Sequence, residues 1–185
     1  LAQSKKEYYA NGEVKSEGKT VKNKKEGYWM FFYTDGTLMS IEKYKSDKLD
    51  GLAKYYSKEG KLERKEKWQT GVQQDSAWTY FADGQVKKRG MFKDGMYEGL
   101  WIHYFEDGKV KQKASYSKGK LEGDFERYNL NGTLFQKGKY KNGVEDGFWK
   151  FNDEEGKAIN EGEYQAGKQI GTWYKYTKKE NTRTV

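Results

Sequence analysis

The chain has 185 residues, a formal net charge of +8, 35% charged and 17% aromatic residues, 22 glycines, and neither proline nor cysteine. Without cysteine there is no thiol nucleophile and no thiolate metal site, and no apolar run is long enough to span a bilayer as a helix. A mean hydropathy of −1.21 would suit a disordered chain, but 16 Tyr, 9 Phe and 6 Trp can bury large areas. Taken in chain order, Tyr8–Ala10 open an incomplete unit that turns at Asn11-Gly12. The segment "GYWMFFY" (27–33) is predicted as a strand, followed by a turn at Asp35-Gly36 and a second, alternating strand. The same strand–turn–strand unit recurs with turns at Glu59-Gly60, Asp83-Gly84, Asp107-Gly108, Asn131-Gly132 and Glu155-Gly156. Such dipeptides mark hairpins because the turn requires positive φ. The last aromatic segment reaches Tyr176, and a basic tail spans 177–185.

The turn glycines step by 24 residues, from Gly12 to Gly156. A second set (Gly27, Gly51, Gly99, Gly123, Gly147 and Gly171) keeps the same period, with Asp75 filling its one gap. Trp29, Trp101, Phe125, Trp149 and Trp173 share a column in which Ala53 and Ala77 are the exceptions. Tyr104 belongs to another column, with Tyr8, Phe32, Tyr56, Tyr80, Tyr128 and Tyr176. A small-residue column runs through Gly18, Gly90, Ala114, Gly138 and Gly162. Glycine inside a strand marks close approach of something bulky, so an aromatic ring is expected over it. Glu42 and Glu66 interrupt that column, so the early repeats should pack differently. The segments between units, such as "GMYEG" (95–99), read as loops.

These observations predict an all-β fold: an elongated open antiparallel β-meander of about seven 24-residue β-hairpin repeats in a single curled sheet. The repeat domain is expected over 8–176, with 177–185 as the tail. The end strands are exposed edges that need charge or a cap.

The pattern G-x-W-x-x-Y-x-x-x-G appears as Gly27, Trp29, Phe32 and Gly36, as Gly99, Trp101, Tyr104 and Gly108, and as Gly123, Phe125, Tyr128 and Gly132. It resembles the bacterial variant of the MORN repeat. Within that resemblance the structural repeat residues include Gly27, Trp29, Gly36, Gly99, Trp101, Tyr104, Gly108, Trp149 and Trp173. The resemblance implies a repeat scaffold, similar to YwqK-family antitoxin-like proteins, with a protein as partner. The alternative is a secreted or surface-exposed protein binding a host ligand, a glycan or anionic lipid. The chain begins at Leu1 without methionine, so preceding residues are expected, and the compartment is either the bacterial cytoplasm or the cell surface.

Catalytic chemistry finds little support. His103 is the one histidine, in a column that otherwise holds Phe31, Tyr55, Thr79, Arg127, Phe151 and Lys175. The turn acids are spaced along an edge and do not converge as metal ligands would. No enzyme activity, cofactor or metal is therefore expected. The basic balance permits contact with nucleic acid, but aromatics and lysines fall largely on opposite strand faces, whereas a stacking platform needs both on one. Nucleic acid is therefore disfavoured, and a lysine-rich solvated face is the simpler account. Residues 121–171 hold 7 Lys/Arg against 10 Asp/Glu, the one stretch with the acidity common in inhibitors of nucleic-acid-directed toxins. Departures from the repeat mark candidate contacts with a cap, a second copy or a partner: Met30, Tyr33, Met39, Ile41 and Trp78, the last displaced one place from its column by Ala77. A terminal cap formed by residues 1–11 accounts equally well for Met39 and Ile41.

Overall fold

The computed structural model describes residues 1–177 and the backbone of 183–184, and every regular element among them is a strand. The expected tail, 177–185, falls almost wholly outside the described residues. The chain divides into two compact units, Leu1–Met96 and Tyr97–Val185. The first holds β1 (Ala2–Tyr8), β2 (Val14–Val21), β3 (Lys24–Phe32), β4 (Leu38–Lys45), β5 (Lys48–Leu49), β6 (Gly51–Tyr56), β7 (Leu62–Gln69), β8 (Val72–Tyr80) and β9 (Val86–Lys93). In the second, β10 (Met96–Tyr104), β11 (Val110–Ser117), β12 (Lys120–Tyr128) and β13 (Leu134–Lys141) are followed by β14 (Val144–Glu145), β15 (Gly147–Asn152), β16 (Ala158–Gln165) and β17 (Lys168–Tyr176). The short β18 (Arg183–Thr184) pairs with β17. Within each unit consecutive strands pair antiparallel, as an open meander of hairpins. The first strand begins earlier than Tyr8, the expected start.

Two kinds of turn alternate. At Asp35-Gly36 the amide of Tyr33 donates to the Thr37 carbonyl (2.8 Å) and the amide of Gly36 to the Tyr33 carbonyl (3.0 Å). This is a three-residue loop in which the glycine alone takes positive φ, 82°. The acid before the glycine braces the loop from its side chain. Asp35 Oδ1 accepts from the Thr37 amide at 2.9 Å, and Asp83 and Asp107 do the same for Gln85 and Lys109. The two-residue left-handed turns lie instead in the segments read as loops. Asp94 (φ 53°) and Gly95 (φ 75°) form one, and Lys22–Asn23 and Ser46–Asp47 form others. The rest of "GMYEG" is strand, so that expectation is corrected: the turn consumes only Asp94 and Gly95.

The second glycine set marks bulges within strands. Gly27 (φ 73°) sits where the β2–β3 register slips between Gly18 and Lys19. The Trp29 indole then lies over Gly18, and its Nε1 donates to the Lys19 carbonyl at 2.9 Å. Trp149 repeats this over Gly138 with the Lys139 carbonyl (3.1 Å), and Trp173 over Gly162 with the Glu163 carbonyl (3.2 Å). The expected ring-over-glycine packing is thus present, and the motif has a mechanical reason. The bulge aims the ring across the neighbouring strand, the missing Cβ admits it, and the indole finds a backbone acceptor. Asp75 keeps the bulge conformation without glycine, at φ 63°.

Trp29, Trp101 and Trp149 are completely buried on this tryptophan face. In the second unit its core is ring against ring. Trp149 meets Tyr140 and Tyr164 edge-on (centroids 5.1 and 6.1 Å), and Trp101 stacks on Tyr97 at 3.9 Å. In the first unit cations replace some of the rings. Lys25 occupies the repeat position of Tyr97, and its Nζ lies 4.7, 4.6 and 4.9 Å from the centroids of Trp29, Phe31 and Tyr44. Glu42 and Glu66, the interruptions in the small-residue column, are matched by Ala53 and Ala77 in the tryptophan column: Glu66 pairs with both alanines across β6–β7 and β7–β8. Large and small have changed places, and the strands keep their register.

Candidate interaction surface

The face opposite the tryptophans is where the departures from the repeat converge. Alternation along β3 sends Tyr28 and Met30 away from buried Trp29, and both are exposed. Cross-strand register then fixes a single row over six strands: Met30 opposite Ile41, Ile41 opposite Lys54, Lys54 opposite Lys65, Lys65 opposite Trp78, and Trp78 opposite Arg89. Residues from 30 to 89 in sequence so become one line of neighbours. Met30 is exposed while Ile41 and Trp78 are half-buried. Met39 alternates with buried Ser40 and shares the direction of Ile41. An open hollow lined by Lys5, Lys6, Glu17, Lys19, Tyr28 and Met30 adjoins the row at its Met30 end.

Tyr33 is placed differently. It sits at a hairpin turn, and its hydroxyl donates to the Tyr56 carbonyl at 2.9 Å, as Tyr9 does to the Phe32 carbonyl at 2.7 Å. Its side chain links one repeat to the next. The structural residues Gly27, Gly36, Gly99 and Gly108 all adopt positive φ. Tyr104 ends β10 opposite Val110.

The row is basic. Lys54 and Lys65 face one another directly, and neither pairs with a carboxylate among the described residues. Of the acids in this unit, Glu17 binds Lys6 at 2.7 Å and Asp75 binds Lys67 at 2.6 Å, while Glu63, two places before Lys65, is exposed. Hydrogen bonds from the Lys67 ammonium and the Ser76 hydroxyl hold the Asp75 carboxyl below the usual range. The corresponding row of the second unit mixes the signs: Lys113 binds Glu126 (3.4 Å), Glu126 faces Lys137 and Lys150 faces Glu161, so each lysine has a carboxylate as a cross-strand neighbour even though Lys137 also faces Lys150. The expected separation of aromatics from lysines is incomplete. Lys65 Nζ lies 5.0 Å from the Trp78 ring and 5.5 Å from that of Tyr80, and Lys43 Nζ lies 5.7 Å from Tyr28.

On the tryptophan face the first unit carries a polar seam that sequence reading did not assemble. Glu42 accepts from the Ser40 hydroxyl (2.8 Å) and the Tyr44 hydroxyl (2.5 Å), and Arg64 Nε approaches Glu66 at 3.7 Å while its guanidinium covers Tyr55 at 3.9 Å. Burial, followed by the charges of Glu42 and Glu66, pushes the Tyr55 phenol up to about 12, and Tyr44 rises for the same first cause. The signal available was the paired exchange of Glu for Gly and Ala for Trp at positions 24 residues apart. His103 also lies on the tryptophan face, half-buried and opposite Gln112. No group of three or more metal-binding side chains occurs among the described residues.

Comparison with known proteins gives one family. The MORN repeat variant matches residues 5–23, 25–46, 49–69, 97–118 and 121–142, more than half of the chain. The interval 70–96, which contains Ala77 and Trp78, is unmatched between matched repeats. No curated protein matches. Among solved structures, a GtfA/B complex bound to UDP and GlcNAc aligns over 62% of this chain and 22% of its own, at 13% identity and a TM-score of 0.27. A TcdB2-TccC3-Cdc42 structure aligns over 90% of this chain and 13% of its own, at 12% identity and a TM-score of 0.26.

Proposed function

The chain belongs to the MORN-repeat variant family, and from that premise we propose that it is a non-enzymatic scaffold that binds another protein through the lysine-rich face of its first unit. The observation that carries this reading is the row Met30–Ile41–Lys54–Lys65–Trp78–Arg89. Ile41 occupies a column that is otherwise charged, Met30 and Trp78 share one in which Lys6, Lys54, Glu126 and Lys150 are charged, and all three stand in line on an uncovered sheet face. Large apolar and aromatic anchors surrounded by charge are the usual composition of a binding hot spot. In its finer form the reading is antitoxin-like: the partner is a protein toxin, held by stoichiometric binding.

The test is capture from the native cell with the wild-type chain and with Ile41→Lys and Trp78→Ala, followed by calorimetry with the purified captured protein. Weakening of about tenfold or more in each variant supports the reading, on the scale of single interface anchors. Equal affinity of wild type and both variants for that protein refutes it. Co-expression that relieves growth arrest by the captured protein supports the antitoxin form, and its failure with binding intact removes that form alone.

A further inference from the structure

The chemistry of the row specifies its occupant more closely, and this step rests on the docking reading above. We infer that the face takes an acidic amphipathic helix of the partner protein, laid across the strands along the row.

Three observations converge. The first is charge. Lys54 and Lys65 are directly opposite like charges, an arrangement that costs a sheet stability. Ile41 and Trp78 flank them, and neither lysine is neutralised by a described carboxylate. Glu17 and Asp75 are already held by Lys6 and Lys67. An incoming carboxylate set would offset this cost, and a neutral or basic partner would not.

The second is the order of side chains. The row runs apolar, apolar, basic, basic, aromatic, basic, from Met30 to Arg89. Two aliphatic anchors at one end and a ring further along ask for apolar side chains between the acids. A single-stranded nucleic acid offers bases and phosphates but nothing aliphatic for Met30 and Ile41 to pack against.

The third is spacing. Adjacent strands are about 4.8 Å apart, so the row covers about 24 Å in five steps. One helical turn advances about 5.4 Å, and about 16 helical residues cover the same length. A helix therefore presents one side chain per strand with a small drift. An extended segment, whose same-face side chains recur about every 6.8 Å, falls out of step within three strands.

The experiment uses the full chain and four probes: a labelled helix-forming peptide of about 16 residues with Leu and Glu along one face, its Gln-for-Glu analogue, an oligodeoxythymidylate of equal length, and phosphatidylglycerol vesicles. The Glu peptide is expected to bind, to weaken as salt rises, and to lose about tenfold or more in affinity for Lys54→Glu/Lys65→Glu and for the milder Lys54→Gln/Lys65→Gln. The Gln analogue is expected to bind at least about tenfold less tightly. Circular dichroism of both variants checks that the sheet is intact. Binding of the Glu peptide that is unaffected by both lysine variants overturns the inference. So does binding of the oligonucleotide or the vesicles as tight as that of the Glu peptide and through the same lysines, since the face is then a general polyanion site. The two levels fail separately. If the captured protein loses affinity for Ile41→Lys and Trp78→Ala but not for the lysine variants, docking stands and the acidic helix falls. If no variant matters, both fall.

Discussion

Substituting Gly138 by alanine tests the packing rule of the repeat. A Cβ at Gly138 would stand 2.6 Å from Trp149 Cγ and closer still to Cδ2 and Cε2. Carbon atoms pack at about 3.5–4.0 Å, so the ring must retreat by about an ångström. Retreat breaks the Nε1 bond to the Lys139 carbonyl, about 1 kcal/mol. It also loosens the edge-on contacts with Tyr140 and Tyr164, about 0.5–1.5 kcal/mol each. The expected cost is about 3 kcal/mol, the upper part of the usual overpacking range. At Ala114 the chain already carries a methyl in this column, and the ring 11 places on is there Phe125, smaller than the indole that Gly138 must admit. Trp149→Ala by itself should cost about 3–5 kcal/mol. In that background Gly138→Ala has nothing to strike, and a strand alanine should be neutral or favourable by about 0.5 kcal/mol. The assay is urea unfolding followed by far-UV circular dichroism, with hydrogen exchange of β13, β15 and β16 amides to localise the effect, since repeats need not unfold in one step. Equal cost of Gly138→Ala in both backgrounds would refute the argument, because no coupling between ring and glycine would then exist.

Asp75→Gly should change stability by less than about 0.5 kcal/mol, because relief of the φ 63° backbone offsets the loss of an exposed ion pair, while Asp75→Val should cost about 1–3 kcal/mol by thermal unfolding. Tyr55 should stay protonated past pH 10. Its folded value is raised to about 12, so the stability it contributes is complete below pH 10 and is lost as pH rises from 10 through 12. Ultraviolet titration of wild type against Tyr55→Phe checks this, and normal ionisation near pH 10 would contradict it. At the edge, Lys5 takes the tryptophan position of β1 opposite Gly18 and binds Glu7 at 3.0 Å, and Lys6 faces the other way. Inward charge on an edge strand opposes strand addition. Lys5→Trp/Lys6→Val should therefore raise self-association in sedimentation velocity, and an unchanged monomer fraction would dismiss this role.

The sequence by itself determined the period, the hairpins and the ring-over-glycine columns. Each of these is local: a strand alternates every second residue, a left-handed turn selects Gly, Asn or Asp, and a Trp two places after a bulged glycine meets the small residue 11 places before it. For the same reason Met30, Ile41 and Trp78 could be named as departures without knowing that they were neighbours. The sequence did not separate the two turn types, because Asp-Gly serves both, and only the hydrogen-bonded register shows which residues carry positive φ. Nor did the sequence show that Tyr33, named as a departure, links one repeat to the next through its acceptor at Tyr56, 23 residues on. What only the tertiary structure decided is juxtaposition across strands. A register fixed by bulges and turns places Ile41 against Lys54 and Lys65 against Trp78, and it sets Lys54 directly opposite Lys65 with no described acid to neutralise them. Charge and hydrophobicity act over ångströms in space, and in a sheet that distance is set by pairing, not by position along the chain.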